Sequence, residues 1–170
     1  MSTWAILATG PSMSQEIADY VRGKTGVIAV SNSYLLAPWA DALVSNDAAW
    51  WKAHPEAFKF KGRKFAGAKV EGTELIKRDA HFGGGCNSGF QAMRVANDVL
   101  GATKIVLLGL DMQGSHFFGD HKPPLKNTVP ARFEVHKRQF EKWNGCEVIN
   151  CTPGSALKAF PMGELEEVIK

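Results

Sequence analysis

Two histidines five residues apart, His116 and His121, stand in the polar stretch QGSHFFGDHKPPLKNTVP with Asp120, Lys122, Lys126 and Asn127. Imidazole titrates close to neutral pH, so either ring can take a proton from a hydroxyl held within hydrogen-bond reach. The two ammonium groups and the Asn127 amide can contact phosphate oxygens. The spacing of the histidines matches no recognised metal-ligand pattern. A single general-base or phosphate-contact role therefore ranks above metal ligation. A loop this long inside a compact chain is usually functional or disordered. Each of its residues, taken singly, fits an ordinary surface loop equally well.

A second set of polar groups follows the apolar runs that read as strands. Trp4 to Ala8 (WAILA) leads into Thr9-Gly10-Pro11-Ser12. Gly26 to Val30 (GVIAV) leads into Ser31-Asn32-Ser33, and Asp41 to Ser45 (DALVS) into Asn46-Asp47. The first of these is a strand, a tight glycine-containing turn and a helix start, an arrangement whose free N–H groups attract anions. It lacks both the G-x-G-x-x-G dinucleotide fingerprint and the G-x-x-x-x-G-K-[ST] phosphate loop. Turn chemistry uses the same residue types. Three strand ends in register make a ligand site at least as good an explanation.

The stretch from Gly83 to Asp111 positions the rest. Asn87 or Ser88 can cap a helix whose apolar residues run from Phe90 to Leu100, and Gly101 suits its end. Lys104 to Leu108 (KIVLL) is short, apolar and β-branched, so it reads as a central strand with Asp111 just beyond it. Further on, Phe133 to Trp143 reads as an amphipathic helix whose His136, Lys137 and Arg138 are its solvated face. Glu147 to Asn150 (EVIN) reads as the last strand. Cys151 to Phe160 is expected to turn into a short helix capped by Ser155, and Gly163 to Lys170 to form a final polar helix. Helices interleaved with β-branched strands predict an α/β fold: a Rossmann-like, doubly wound, mostly parallel sheet in one domain spanning residues 1–170. In such sheets ligands gather outside the carboxyl ends of the strands.

Composition narrows the classes. The 170 residues carry a formal charge of +3 with scattered lysines and arginines, which accommodates an anionic ligand without indicating nucleic acid. No apolar run approaches membrane-spanning length, and a cytoplasmic location is expected. The three cysteines, Cys86, Cys146 and Cys151, form neither a disulfide framework nor a zinc pattern. A packing role is expected for each.

Taken in order, TGPSM, SN, ND, GGxNSG, LGxxKIVLLGLDM, the GDH loop with its nearby asparagine, and NCTPGSALKAFP resemble a family of small proteins encoded by bacteriophages and prophages. More distantly, the set is similar to bacterial sialyltransferases of the Campylobacter type and to archaeal 6-hydroxymethylpterin diphosphokinase-like proteins. The sialyltransferase resemblance implies a CMP-sugar lying across the carboxyl edge of the sheet. It implies a phosphate beside Gly10, Pro11 and Ser12, with Asn32 and Asn46 around the nucleotide and sugar. Asn87, Ser88 and Gly89 would contact the nucleotide, and Ser155 would lie near the base. His121, with Asn127 nearby, would deprotonate the acceptor. Lys122, Lys126 or His116 would stabilise the leaving phosphate. The tyrosines that such enzymes place after the G-[IL]-D motif are missing here, where the chain reads MQGSHFF.

Three functions follow as expectations. The first is a nucleotide-dependent, glycosyltransferase-like transferase. The second is an ATP- and magnesium-dependent pyrophosphoryl transferase using Asp47 and Asp111, since two carboxylates with waters can hold the ion. The same carboxylates could equally cap loops, and no residue is assigned as a metal ligand. The third is a non-catalytic phage protein that binds or sequesters a nucleotide. The expected partner is a small nucleotide ligand, with no membrane, and a homo-oligomer is compatible with the sequence.

Overall fold

The computed structural model describes residues 1–77 and 87–170. Seven strands make one sheet: β1 (Thr3–Leu7), β2 (Gly26–Val30), β3 (Ala42–Ser45), β4 (Arg63–Ala66), β5 (Glu74–Leu75), β6 (Lys104–Leu108) and β7 (Glu147–Asn150). Their order is β5-β4-β3-β2-β1-β6-β7, and every pairing is parallel. The helices are α1 (Gln15–Val21), α2 (Ala48–Ala53), α3 (Ser88–Asp98), α4 (Pro130–Phe140) and α5 (Leu165–Val168), with 3-10 turns at Ser31–Leu35 and Pro55–Lys59.

Side chains alternate across a strand, and here both faces are apolar. Ile6, Ile28, Val30, Val44, Ile105 and Leu107 point to one face, where Phe90 and Met93 of α3 and Phe140 of α4 cover them. Ala5, Leu7, Val27, Leu43, Val106 and Leu108 point to the other, under Ala18 and Val21 of α1 and Trp50 and Trp51 of α2. The fold is therefore Rossmann-like and doubly wound, as the interleaved pattern predicts, and the sheet is wholly rather than mostly parallel. Gly101 holds a φ of 71° after α3, as its place at a helix end requires.

Some expected elements differ. The helix expected from Phe133 begins at Pro130, which fits a first helical position because its missing N–H has no partner to lose there. No helix forms between Cys151 and Phe160, where Asn150 and Ser155 stitch an irregular corner instead. The final helix shrinks to four residues, Leu165–Val168. Among the described residues no helix is long and apolar enough to cross a membrane.

Candidate functional site

β1 lies between β2 and β6, so chain connections leave it in opposite directions on its two sides. That is the switch point at which open parallel sheets form their ligand crevice. A cleft of about 900 Å³ opens at this edge. Its walls come from the ends of β1, β2, β3 and β6, the start of α3, and the segment running through His116, His121 and Asn127 to His136. Two lining residues, Ser31 and Met112, hold left-handed backbone with φ of 47° and 53°. Such conformations are uncommon outside glycine and concentrate at functional positions.

The turn after β1 is closed on itself. Gly10 N–H donates to the Gly109 carbonyl at 2.7 Å and Met13 N–H to the Gly10 carbonyl at 3.0 Å. Ser12 donates to the Asp111 carboxylate from its hydroxyl at 2.8 Å and from its N–H at 3.3 and 3.4 Å. Pro11 has no N–H. The donors that would receive a phosphate at Gly10, Pro11 and Ser12 are thus engaged, and a carboxylate stands beside them. Burial raises the Asp111 pKa, against the lowering effect of its Ser12 hydrogen bonds. Gly10 and Asp111 line the cleft, whereas Pro11 and Ser12 do not.

Several other strand-end residues also have internal partners. Asn32 is buried and accepts from the Trp50 indole at 2.8 Å. Asn46 N–H donates to Ser88 Oγ at 2.9 Å, tying β3 to the start of α3. Ser155 is fully buried, donates to the Leu110 carbonyl at 2.6 Å and accepts from Asn150. Asn32, Asn46 and Ser155 lie outside the cleft wall, while Asp47, Asn87, Ser88 and Gly89 are part of it. Asn87 Oδ1 caps α3 by accepting from Gly89 N–H at 2.8 Å and Phe90 N–H at 3.4 Å. The glycine run Gly83–Gly85 and Cys86 fall outside the described residues.

The histidines converge. His116 Nδ1 lies 3.1 Å from Thr9 Oγ1, and its ring stacks on Phe118 at 4.8 Å. The His121 ring stands edge-on to His116 at 4.8 Å. Asn127 clamps the His121 backbone, accepting from its N–H at 2.7 Å and donating to its carbonyl at 3.5 Å. Lys126 and Asn127 line the cleft, and Lys122 does not. Burial lowers the pKa of both rings. His116 and His54 lower His121 further, while Asp120 opposes the shift.

Sequence reasoning missed Arg132 and His136, which also line the cleft. The Asn87 amide nitrogen lies 3.4 Å from His136 Nδ1. Because Asn87 Oδ1 is the cap, its NH₂ is the donor here, so Nδ1 accepts and the ring proton resides on Nε2. Burial, then the charge of Arg132, lowers the His136 pKa. The surviving signal in the sequence was the i, i+4 spacing, which puts both residues on one helix face.

These shifts have a thermodynamic sign. His116, His121 and His136 all fold with pKa values below 6.5, so the unfolded chain binds more protons between the folded values and 6.5. The stability they contribute is complete above pH 6.5 and is lost as pH falls through the folded values. Thermal midpoints measured down an acid series should drop below neutrality, and less steeply in His136→Gln. A midpoint indifferent to pH across the histidine range would contradict the geometry.

Neither tyrosine reaches the cleft: Tyr20 donates to the Ile169 carbonyl at 2.7 Å and Tyr34 to Glu56 at 3.0 Å. Among the described residues no three histidine, cysteine or carboxylate groups are arranged to hold a metal ion. Cys146 is partly buried and Cys151 buried, and burial pushes the Cys151 thiol up to about 11. No family model, curated protein or solved structure matches the chain. What defines the molecule is its wholly parallel Rossmann-like sheet with a histidine-bearing cleft at the switch point.

Proposed function

We propose that the cleft binds a nucleotide or nucleotide sugar, and that the chain is a phage-encoded, glycosyltransferase-like transferase. The observation that carries this reading is the placing of two partly buried histidines, His116 and His121, whose pKa values burial lowers, in a cleft at the switch point of a parallel sheet. A neutral ring is a base. His121 takes the proton of an acceptor hydroxyl as the acceptor oxygen bonds to the anomeric carbon. The bond from that carbon to the nucleotide phosphate breaks, and the phosphate leaves with the electron pair. Since His116 is also held neutral, it is a poor proton donor at pH 7, and the departing negative charge calls for fixed positive groups.

The absence of a tyrosine from the cleft favours a second reading, a protein that retains a nucleotide without turning it over. The magnesium-dependent alternative is weaker, because the Asp111 carboxylate is occupied by Ser12. Thermal-shift and product assays with ATP and with CMP-, UDP- and GDP-sugars, with and without EDTA, test these readings. An EDTA-insensitive shift with nucleotide release in the presence of an acceptor is expected. Retention without release supports the second reading. An ATP shift abolished by EDTA restores the pyrophosphoryl transferase, and no shift by any nucleotide overturns them all.

A further inference from the structure

We infer that the anion-binding subsite of this cleft is the α4 wall, formed by Arg132 and His136 with Lys126, rather than the turn after β1; this rests on the nucleotide reading only for the identity of the phosphate's owner. The ligand chemistry is a phosphate or pyrophosphate group. Four observations converge.

The turn after β1 has its Gly10, Ser12 and Met13 N–H groups engaged internally and carries the Asp111 carboxylate, which repels an anion. At the other wall, Arg132 and His136 stand one helical turn apart on α4, both lining the cleft. Neither Arg132 nor Lys126 forms an ion pair with a described residue, although other basic side chains such as Arg63, Lys104 and Lys137 do. Finally, the Asn87 contact leaves the proton of His136 on Nε2, which makes that nitrogen a donor without needing a net charge. Arg132 supplies a planar guanidinium able to grip two phosphate oxygens at once. The carboxylates lining the cleft, Asp47, Asp111 and Asp120, lie on other segments; Asp111 is held by Ser12 and Asp120 accepts from Ser115.

Pyrophosphate binding, measured by calorimetry at low salt on the full chain, is the direct probe. Arg132 is exposed, so Arg132→Gln should fold with an unchanged thermal midpoint. It should weaken pyrophosphate binding by about tenfold or more, the scale of a lost charged hydrogen bond. Arg138→Gln makes the same charge change on the same helix away from the cleft and should stay within about twofold, as a distant surface charge screened by solvent does. Equal loss in both variants, or no pyrophosphate binding by the native chain at millimolar concentration, would overturn the subsite. CMP with cytidine, and UDP with uridine, then separate the two readings. Arg132-dependent pyrophosphate binding without nucleotide binding keeps the subsite and removes the transferase. Nucleotide binding indifferent to Arg132→Gln keeps the transferase and removes the subsite.

Discussion

Replacing His121 with alanine is expected to lower turnover of the nucleotide sugar by about 10²–10⁴-fold, the range of a lost general base. Nucleotide affinity should barely change. The division between the two follows from how the residue is held. Its backbone is fastened by Asn127 from both sides, so truncating the ring leaves the loop in place. Its ring lies 4.9 Å from Phe118 and 4.8 Å from His116. Burial, with His116 and His54 adding to it, keeps the native ring unprotonated at neutral pH. The rising acid limb of kcat/KM in the native chain should therefore lie below pH 6.5, the ordinary histidine value, and be missing from the variant. Single-turnover rates beside calorimetric affinities decide the matter. Loss of affinity with an unchanged rate per bound complex would make His121 a binding group instead of the base.

Gly10→Ala is expected to destabilise the fold by about 2–3 kcal/mol, the cost of forcing an atom into a filled space. A Cβ at that position would overlap Asp111 Oδ1 and stand 2.5 Å from the Gly109 carbonyl oxygen. The same shift would strain the Gly10–Gly109 hydrogen bond and the Ser12–Asp111 pair. In a chain of this size the thermal midpoint should fall by roughly 5–10 °C. Adding Asp111→Ala to Gly10→Ala removes one of the two obstructions. The double variant should then be more stable than the sum of the single effects, since neighbours in contact do not add. Equal midpoints for the native chain and Gly10→Ala would show that the turn opens freely, and strict additivity would place the strain elsewhere.

The two substitutions mark what the amino-acid order revealed and what it concealed. Continuous apolar runs announced the core strands, because burial on both faces leaves no room for polar side chains at Ile6, Val27 or Leu107. Which strand lies beside which is a matter of long-range pairing that no local period encodes, so the switch point between β1 and β6 emerged only with the fold. His116, His121, Lys126 and Asn127 were legible because a long polar loop draws notice. Ser12 and Asn32 were legible only as small polar residues beside strand ends, and Ser155 only as the cap of a helix that does not form. The same residue types receive ligands and stitch turns, and the partners that distinguish the two, Asp111, Trp50 and Leu110, are distant in the chain. His136 was hidden by the opposite ambiguity, and Arg132 fell before the start expected for its helix. Charges on an amphipathic helix usually face water, and here part of that polar face turns towards the cleft.

The place of β1 between β2 and β6 bears on how the molecule is made. Residues 4–7 pair on one side with residues 26–29, which follow almost at once, and residues 3–7 pair on the other with residues 104–108. During synthesis β1 to β5 can assemble in sequence while the β6 side of β1 remains an open, apolar edge. Such edges recruit other strands, and parallel pairings across long separations form late. A ribosome that stalls between β5 and β6 would therefore expose a strand edge that the finished protein covers, making this interval the one in which a nascent chain most needs a chaperone.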